Sequence, residues 1–177
     1  MYKVTPQKSN RVAPYTSGVL LIGAFLAMFF STLEIPYRSV MQLIALIMLS
    51  FSVLMLTRYT LASYSYAVIQ NADGECDLVV TELKRKSGIT VCRIGLRGIE
   101  DVTLAKRADK ALTAKLKERS KGRKSYNYSI DLAPAEYIHI LTEECGESLT
   151  IKLSYDERLF AILKDAATKN NEPNISL

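Results

Sequence analysis

The chain has 177 residues, of which 49% are hydrophobic and 23% are charged, and its formal net charge is +5. This composition excludes an intrinsically disordered chain and fits about one folded domain. Its three cysteines are an odd number without a Cys-x-x-Cys pair, so neither a disulfide framework nor a zinc site is indicated.

The first third of the chain carries two long apolar segments. Residues 17–33 and 39–57 contain no charged side chain, and with Tyr15 and Thr16 the first segment is as long as the second. Nineteen helical residues extend over roughly 28 Å, close to the ~30 Å hydrocarbon core of a bilayer. A soluble core helix and a cleaved signal peptide are the alternatives, and two such segments in succession argue against both. We therefore predict a transmembrane helical hairpin over residues 15–57.

The flanking charges predict the orientation of this hairpin. Residues 34–38 would form a tight turn, with Pro36 ending the first helix. The N-terminal tail, residues 1–14, carries three bases and no acid, and Arg58 follows the second segment. Because positively charged flanks stay on the cytoplasmic side, we predict a two-pass protein of the cell (inner) membrane with both termini in the cytoplasm. Residues 58–177 would then lie in the cytosol, where cysteines remain reduced.

The rest of the chain alternates apolar and polar residues in short segments that turn residues separate, a pattern typical of antiparallel strands. Four strands are predicted before a basic segment and three after it, followed by an amphipathic helix with Ser154 as its N-cap. The predicted strands are residues 58–70, 75–83, 89–94, 99–105, 125–132, 136–143 and 148–153. The predicted helix is residues 154–169, and residues 170–177 are a polar tail.

This order of elements resembles the pleckstrin-homology-like (PH-like) superfold, in which a four-stranded sheet packs against a three-stranded sheet under a C-terminal helix. More narrowly, it is similar to bacterial membrane proteins that place such a domain directly after a transmembrane hairpin, in stretches such as residues 94–107, IGLRGIEDVTLAKR. The resemblance implies an α+β membrane protein with a seven-strand PH-like β-barrel or sandwich over residues 58–169 and a C-terminal capping helix. The first hairpin, residues 70–77, has three acids and no base, which argues against a phosphoinositide pocket there.

Residues 106–124, KRADKALTAKLKERSKGRK, concentrate the positive charge. Nine of these residues are Lys or Arg and two are acidic, so the segment carries +7 and the rest of the chain −2. The first strand starts at the membrane, and successive antiparallel strands alternate in direction. This alternation predicts that both the turn at residues 84–86 and the basic segment lie at the membrane end of the domain. An anionic leaflet attracts each base there with about 1 kcal/mol. The predicted lipid-facing bases are Lys84, Arg85, Lys86, Lys106, Arg107, Lys110, Lys115, Lys117, Arg119, Lys121, Arg123 and Lys124.

Two other interpretations of the basic segment remain open. It could be a solvated insertion whose charge serves solubility alone. Nucleic-acid binding is disfavoured, because the segment has no RNP-type motif and no interleaved aromatic residues, so no nucleic-acid partner is expected. Residues 108–118 predict a short helix with two leucines on one side, which allows shallow insertion between lipid headgroups.

The sequence contains no recognisable catalytic constellation. The only histidine, His139, alternates with Ile138 and Ile140, which favours a strand residue with one satisfied ring nitrogen. Cys145 has acidic sequence neighbours, which disfavour a thiolate. The chain also lacks the P-loop, HExxH and GxSxG motifs. We expect no enzyme activity, no cofactor and no metal.

Several side chains predict a protein partner instead. Tyr126 and Tyr128 favour a core or a half-exposed sheet face, with strand addition by an extended peptide as the alternative. Glu143, Glu144 and Glu147 lie at the rim away from the membrane in the resembled fold and would meet a basic partner, with a divalent cation as the alternative. The hairpin would pair with another membrane protein or with a second copy of the chain. The candidate side chains for that pairing are Ser31, Thr32, Ser50 and Ser52.

Together these observations predict a non-catalytic binding or scaffold protein anchored in the inner membrane. Its basic rim would face anionic lipid, and the opposite rim would be free for a protein partner. The alternative is an accessory subunit of a membrane enzyme or transporter complex. Transport by the hairpin itself is disfavoured, because Gln42 is the only strongly polar side chain in either apolar segment.

Overall fold

The computed structural model describes residues 2–7, 12–33, 37–84 and 87–171, and the chain divides into two compact units. One unit contains the helices α1 (Val12–Phe30) and α2 (Arg38–Met55). A wider π-helical turn, Leu56–Leu61, continues α2. The other unit contains two β-sheets and two further helices. The chain is therefore an α+β protein in which two long helices precede a sheet domain.

The two N-terminal helices are long and apolar enough to cross a membrane. Large side chains such as Phe25 and Leu46 are 67% and 61% exposed, whereas a helix in a soluble core would bury them. Small side chains, among them Ala24 and Ala45, are buried in the unit instead. Small residues let two helices approach closely, which is the packing that membrane helices favour. The predicted apolar segments are helices, and α1 begins and ends three residues earlier than predicted.

The hydroxyl groups predicted to pair across helices behave differently from one another. Ser52 Oγ donates to the carbonyl of Ser17 over 2.9 Å and so joins α2 to α1. The other three donate to carbonyls within their own helix or its last turn, at 2.7–2.8 Å. These three are Ser31, Thr32 and Ser50. The polar link observed here is therefore internal to the hairpin. Residues 34–36 of the predicted turn lie outside the described residues.

Within the described residues, the sheet domain holds eight strands in two four-stranded sheets. Sheet A has the order β1-β2-β3-β4 and sheet B the order β5-β7-β8-β6. Neighbouring strands are antiparallel, except that β6 runs parallel to β8. The strands are β1 Tyr2–Val4, β2 Ser63–Gln70, β3 Cys76–Lys84, β4 Ser87–Gly95, β5 Ile99–Lys106, β6 Lys124–Asn127, β7 Glu136–Glu144 and β8 Glu147–Ser154. The helices of this unit are α3 Lys110–Arg119 and α4 Glu157–Asn171.

The first predicted strand and the predicted N-terminal tail differ from the structure. β2 begins at Ser63 rather than residue 58, because helical hydrogen bonding continues to Leu61 and the backbone becomes extended only at Ala62. β1 forms within the segment predicted as a tail and pairs with β2, with Val4 opposite Tyr66. Sheet A therefore gains a strand from the start of the chain.

Two later strands also differ from the prediction. β5, predicted as the fourth strand of the first sheet, belongs to sheet B and pairs with β7. β6 ends at Asn127, whereas the prediction extended it to residue 132. The backbone N–H of Tyr128 still donates to the carbonyl of Lys152, so the chain leaves the sheet only after that residue. A four-stranded and a three-stranded sheet were expected, and the structure has two four-stranded sheets.

The change of sheet between β4 and β5 depends on one glycine. The 3₁₀ turn Leu96–Gly98 joins the two strands. A Cβ atom on Gly98 would lie 2.5 Å from the carbonyl oxygen of Glu143, which is closer than real Cβ atoms come to any heavy atom. The Thr142 hydroxyl donates to the carbonyl of Gly98 over 2.8 Å and fixes this corner to β7. A side chain at this position would push the two backbones apart.

We expect Gly98→Ala to lower the free energy of unfolding of the sheet domain by about 1–3 kcal/mol, the usual cost of overpacking a close contact. Gly95→Ala is the matched control, because a Cβ there meets no heavy atom within 4 Å. Urea denaturation of the full chain in detergent, followed by tyrosine circular dichroism, measures both variants. Equal stability of the two would contradict the close approach at Gly98.

The core of this unit lies between the two sheets and α4. Its fully buried side chains include Tyr66, Ile140 and Leu163. Asp156 begins α4 as its N-cap, since Asp156 Oδ1 accepts the backbone N–H of Leu159 at 2.9 Å. The prediction of Ser154 as the N-cap was wrong, because that residue still pairs in β8.

Candidate functional site

The strand registers define two ends of the sheet domain. The β2–β3 turn and the β7–β8 turn lie at one end, where the backbone N–H of Gly95 donates to Glu144 Oε2 over 3.4 Å. We call this the hairpin end. At the opposite end β2 begins at Ser63, across from Leu83, and β5 finishes at Lys106, across from Glu136. The first residue of β2 therefore lies at the end of the domain opposite the β2–β3 and β7–β8 turns.

The basic segment runs from one end of sheet B to the other. It starts at Lys106 at the opposite end and finishes at Lys124, where β6 begins beside Leu149 near the β7–β8 turn. Between them, α3 packs on the outer face of sheet B through Leu116, which is 3% exposed. The expectation that the whole segment stays at one end is therefore wrong for its second half. The apolar side of α3 is committed to the sheet and is not free to insert between lipids.

Carboxylates of the sheet domain neutralise almost half of the basic segment. Arg123 forms two parallel hydrogen bonds to Glu100, at 3.1 and 2.8 Å, a strong geometry for this pair. The other ion pairs are Lys106 with Glu136 at 3.0 Å, Arg119 with Asp101 at 2.5 Å and Lys124 with Glu147 at 2.5 Å. Three of these four pairs involve acids at the hairpin end.

The remaining predicted lipid-facing bases divide into three groups. Lys84 pairs with Glu82 at 3.4 Å, and residues 85 and 86 lie outside the described residues. The last group forms no ion pair with any residue that the structure describes, so its charge stays available to an external anion. These bases are Arg107, Lys110, Lys115, Lys117 and Lys121.

A cavity of about 310 Å³ lies between α3 and the outer face of sheet B. This volume is at the lower end of the range for small-molecule sites, ~300–1,000 Å³. Because side chains alternate along a strand, Tyr137 and His139 face this cavity while Ile138 and Ile140 face the core. The cavity is lined by Thr113, Leu116, Lys117, Ser120, Ser125, Tyr137, His139 and Lys152.

The hydrogen bonds of Ser120 assign the tautomer of His139. Ser120 Oγ lies 2.7 Å from the carbonyl oxygen of Leu116 and 3.1 Å from His139 Nε2. Since a carbonyl only accepts, the Ser120 hydroxyl donates to Leu116 and His139 donates its Nε2–H to Ser120. His139 Nδ1 is then an acceptor, and it is buried without a hydrogen-bond partner among the described residues. The sequence-based expectation of a strand histidine with one satisfied nitrogen is confirmed.

The surroundings of His139 keep its imidazole neutral. Burial is the main cause that lowers its pKa from the ordinary value of 6.5 to about 4, and the Lys152 ammonium is the next. Asp101 acts in the opposite direction. Charged and titratable groups approach this ring from α3, β5, β7 and β8. They are Lys117, Arg119, Asp101, Tyr137 and Lys152.

A second buried polar atom on sheet B has no partner among the described residues. Thr150 Oγ1 is unpaired, and the Thr150 side chain is fully buried. Thr150 lies opposite Ser125 in the β6–β8 register, and Ser125 lines the cavity. A buried polar group without a partner costs about 1–3 kcal/mol. The outer face of sheet B therefore carries two polar groups that the described chain leaves unpaired.

The tyrosines predicted as a partner-binding edge mainly hold the two sheets together. Tyr128 OH donates to the carbonyl of Val91 on β4 over 3.3 Å, and its ring packs edge-on against Tyr64 at 5.8 Å. Burial raises the pKa of Tyr128 to about 12. Tyr126 stacks on Tyr128 with ring centroids 6.2 Å apart and is 42% exposed. Only Tyr126 of this pair presents a large surface to solvent.

The glutamates at the β7–β8 turn also form contacts within the domain. Glu147 pairs with Lys124, and Glu144 accepts the backbone N–H of Gly95. Glu143 lines a polar hollow of about 470 Å³ together with Arg97 and Asn170. Among the described residues, no three His, Cys, Asp or Glu side chains come together in a group that could hold a metal ion. Glu143, Glu144 and Glu147 therefore offer a basic partner fewer free carboxylates than the sequence suggests.

Sequence reasoning missed most of the cavity. Thr150 and Lys152 lie on the same face of a predicted strand, but only the strand register shows that Lys152 lies opposite His139. Ser120 lies just beyond the predicted short helix, and nothing local shows that this helix folds back onto the strand of His139. The signal that existed was the isolated histidine between two isoleucines. Comparison with models of protein families, with curated proteins and with solved structures finds no match to this chain.

Proposed function

We propose that this chain is a two-pass inner-membrane protein whose sheet domain is a PH-like binding module held at the cytoplasmic face. The observation that carries the proposal is the pairing of β1 with β2. β1 precedes α1 in the chain and β2 follows α2, so both ends of the helix pair continue into one sheet. If α1 and α2 cross a bilayer, both ends must lie on the same side of it.

The sheet domain supports the PH-like part of the proposal. Two mainly antiparallel sheets enclose one core, and a C-terminal amphipathic helix packs on that core through Leu159 and Leu163. Three features distinguish it from the predicted seven-strand order: the extra strand β1, the place of β5 in sheet B and the parallel pairing of β6 with β8. Both β1 and β6 lie at sheet edges.

The charges and the short connection support a cytoplasmic domain close to the bilayer. Arg58 lies in the last helical turn, and Lys3 lies in β1. Only Ala62 separates that helical turn from β2, so the domain is tethered without a flexible linker. The unpaired bases of the basic segment would then attract anionic headgroups over about a Debye length, ~8–10 Å. We propose a non-catalytic role in binding lipid and a protein partner.

One observation favours the alternative role as an accessory subunit of a larger membrane complex. The Gln42 side chain forms no hydrogen bond with any described residue and lines a groove of about 410 Å³ between α1 and α2, with Ala24, Met28 and Ala45. In hydrocarbon, an amide gains by hydrogen bonding to another helix. A second membrane protein or a second copy of the chain would supply that partner.

Cysteine labelling in intact bacterial cells tests the proposed topology. Cys76 and Cys145 are exposed on the sheet domain, and Cys92 is partly buried. An impermeant maleimide should label Cys76 and Cys145 only after the inner membrane is permeabilised. A Tyr37→Cys variant without the native cysteines is the control, because Tyr37 is 67% exposed between the two helices and should react in intact cells. Labelling of Cys76 in intact cells would contradict the topology.

A further inference from the structure

The groove between α1 and α2 combines a hollow with projecting side chains and one polar group. Ala24 from α1 and Ala45 from α2 line the groove and are buried, so its floor is made of small side chains. Phe25 and Leu46 also line it but are largely exposed. Gln42 adds a carboxamide to this otherwise apolar lining. Such a surface can receive a large side chain from a neighbouring helix and insert one in return.

The carboxamide of Gln42 lies within the predicted membrane span. Gln42 follows Arg38, the first residue of α2, by four residues, or about 6 Å along the helix axis. A carboxamide has two N–H donors and one carbonyl acceptor, and that of Gln42 forms no hydrogen bond with a described residue. In hydrocarbon no water replaces the missing partner. The amide is therefore expected to bind a polar group from outside the hairpin.

We propose that this groove is the interface of a homodimer, in which the helix pairs of two copies pack together and their Gln42 side chains hydrogen-bond to each other. The two copies are related by a twofold axis perpendicular to the membrane, and their four helices form one bundle. Leu46 lies one helical turn from Gln42 on the same side of α2, so it packs beside the amide pair. The proposal deepens the membrane-anchored role and rests on it, because both require α1 and α2 to cross the bilayer.

The chemistry of Gln42 favours a second copy over other occupants of the groove. Two carboxamides satisfy each other, because each can donate an N–H to the carbonyl of the other. Both copies carry the same flanking charges and insert in the same direction, so a twofold axis brings their amides to the same depth. A different protein would need its own polar side chain at that depth. The acyl chain of a lipid could fill the groove, but it has no hydrogen-bonding group.

Disulfide crosslinking between copies tests the location of the interface. Leu46 lines the groove and is 61% exposed, whereas Leu43 does not line it and is 58% exposed, so Leu43 is the matched control. Each is changed to cysteine in the full chain with its three native cysteines replaced by alanine. The purified chain is then oxidised with copper phenanthroline in phosphatidylcholine vesicles. Leu46→Cys should form a covalent dimer at least about tenfold faster than Leu43→Cys, because a disulfide requires Cα atoms within about 7 Å.

Substitutions at position 42 test the amide pair. Association is measured in the same vesicles by energy transfer between copies labelled at their exposed native cysteines. Gln42→Leu suits hydrocarbon, so the hairpin still inserts, and it should weaken the dimer about tenfold because the amide pair is lost. Gln42→Asn keeps a carboxamide and should stay within about threefold of the native affinity. A dimer that is equally strong in Gln42→Leu would overturn the proposal.

The remaining outcomes separate the dimer from the membrane-anchored role. Alkaline carbonate extraction shows whether the chain is an integral protein of the vesicles. A chain that resists extraction but is monomeric, or one in which Leu46→Cys and Leu43→Cys crosslink equally, contradicts the dimer and leaves the two-pass role intact. A crosslink of Leu46→Cys to another protein in native membranes, with no dimer of the purified chain, also overturns the proposal. A chain released by carbonate contradicts the membrane-anchored role and the dimer together.

Discussion

Tyr66→Phe should lower the free energy of unfolding of the sheet domain by about 2–4 kcal/mol, more than the loss of one ordinary hydrogen bond. The Tyr66 side chain is fully buried on β2. Its hydroxyl donates to the carbonyl of Tyr128 over 2.7 Å and accepts the backbone N–H of Ser154 at 3.2 Å. Phenylalanine keeps the ring but leaves the backbone carbonyl of Tyr128, which is partly buried, and the buried backbone N–H of Ser154 without this partner. Each such group costs about 1–3 kcal/mol.

Tyr126→Phe is the control for this change. It also removes one phenolic hydroxyl, but Tyr126 is 42% exposed and its hydroxyl makes no hydrogen bond with a described residue. We expect its effect on stability to stay within about 0.5 kcal/mol. Since the chain has no tryptophan and seven of its ten tyrosines lie in the sheet domain, near-ultraviolet circular dichroism during urea denaturation follows mainly this domain. If Tyr66→Phe were as stable as Tyr126→Phe, the hydroxyl would not join the two sheets.

The role of Tyr66 illustrates what strand alternation predicts well. Tyr64 and Tyr66 lie on the same face of the first predicted strand, and both are core residues of β2. The strands β3, β7 and β8 are confirmed within two residues at each end, because each has one face in the core and its apolar residues recur with period two. Periodicity reports which face of a strand is buried. It does not report which strand lies beside it.

The errors in the arrangement of the strands concern pairing rather than periodicity. β1 has three residues, too few for any period, and forms only because β2 presents a free edge to it. β5 changes sheet at Gly98, where the contact that matters is with a carbonyl from residue 143, far along the chain. The alternation of Tyr126 and Tyr128 continues past the end of β6 because Tyr128 reaches across to β4. Such contacts are not visible in a local stretch of sequence.

The basic segment shows the same limit for charge. A run with a charge of +7 suggests an external anion, yet four of its nine bases face carboxylates of the same domain. Exposed ion pairs contribute about 0–1 kcal/mol each, so these pairs add little to the stability of the fold. The anchor of α3 is Leu116, and its consequence is a cavity that no charge count predicts. The bases left unpaired include Lys117, which lines that cavity.

Acid should destabilise the sheet domain through His139. In the unfolded chain the imidazole has its ordinary pKa of 6.5, whereas burial and Lys152 hold the folded value at about 4. Above pH 6.5 the ring is neutral in both states and has no effect. As the pH falls below 6.5, the His139 ring binds a proton in the unfolded chain but not in the folded chain, so unfolding is favoured. Stability should fall by about 2 kcal/mol by pH 5 and by about 3 kcal/mol by pH 4, where the folded ring also becomes protonated.

The slope of stability against pH isolates this effect from every other group. His139→Gln removes the titration but keeps a side chain that hydrogen-bonds, and the carboxylates that titrate near pH 4 are common to both proteins. The difference between the two urea-unfolding curves should therefore change with pH between about 6.5 and 4 and stay constant above pH 7. Parallel pH profiles for the two proteins would mean that the His139 ring is solvated in the folded state.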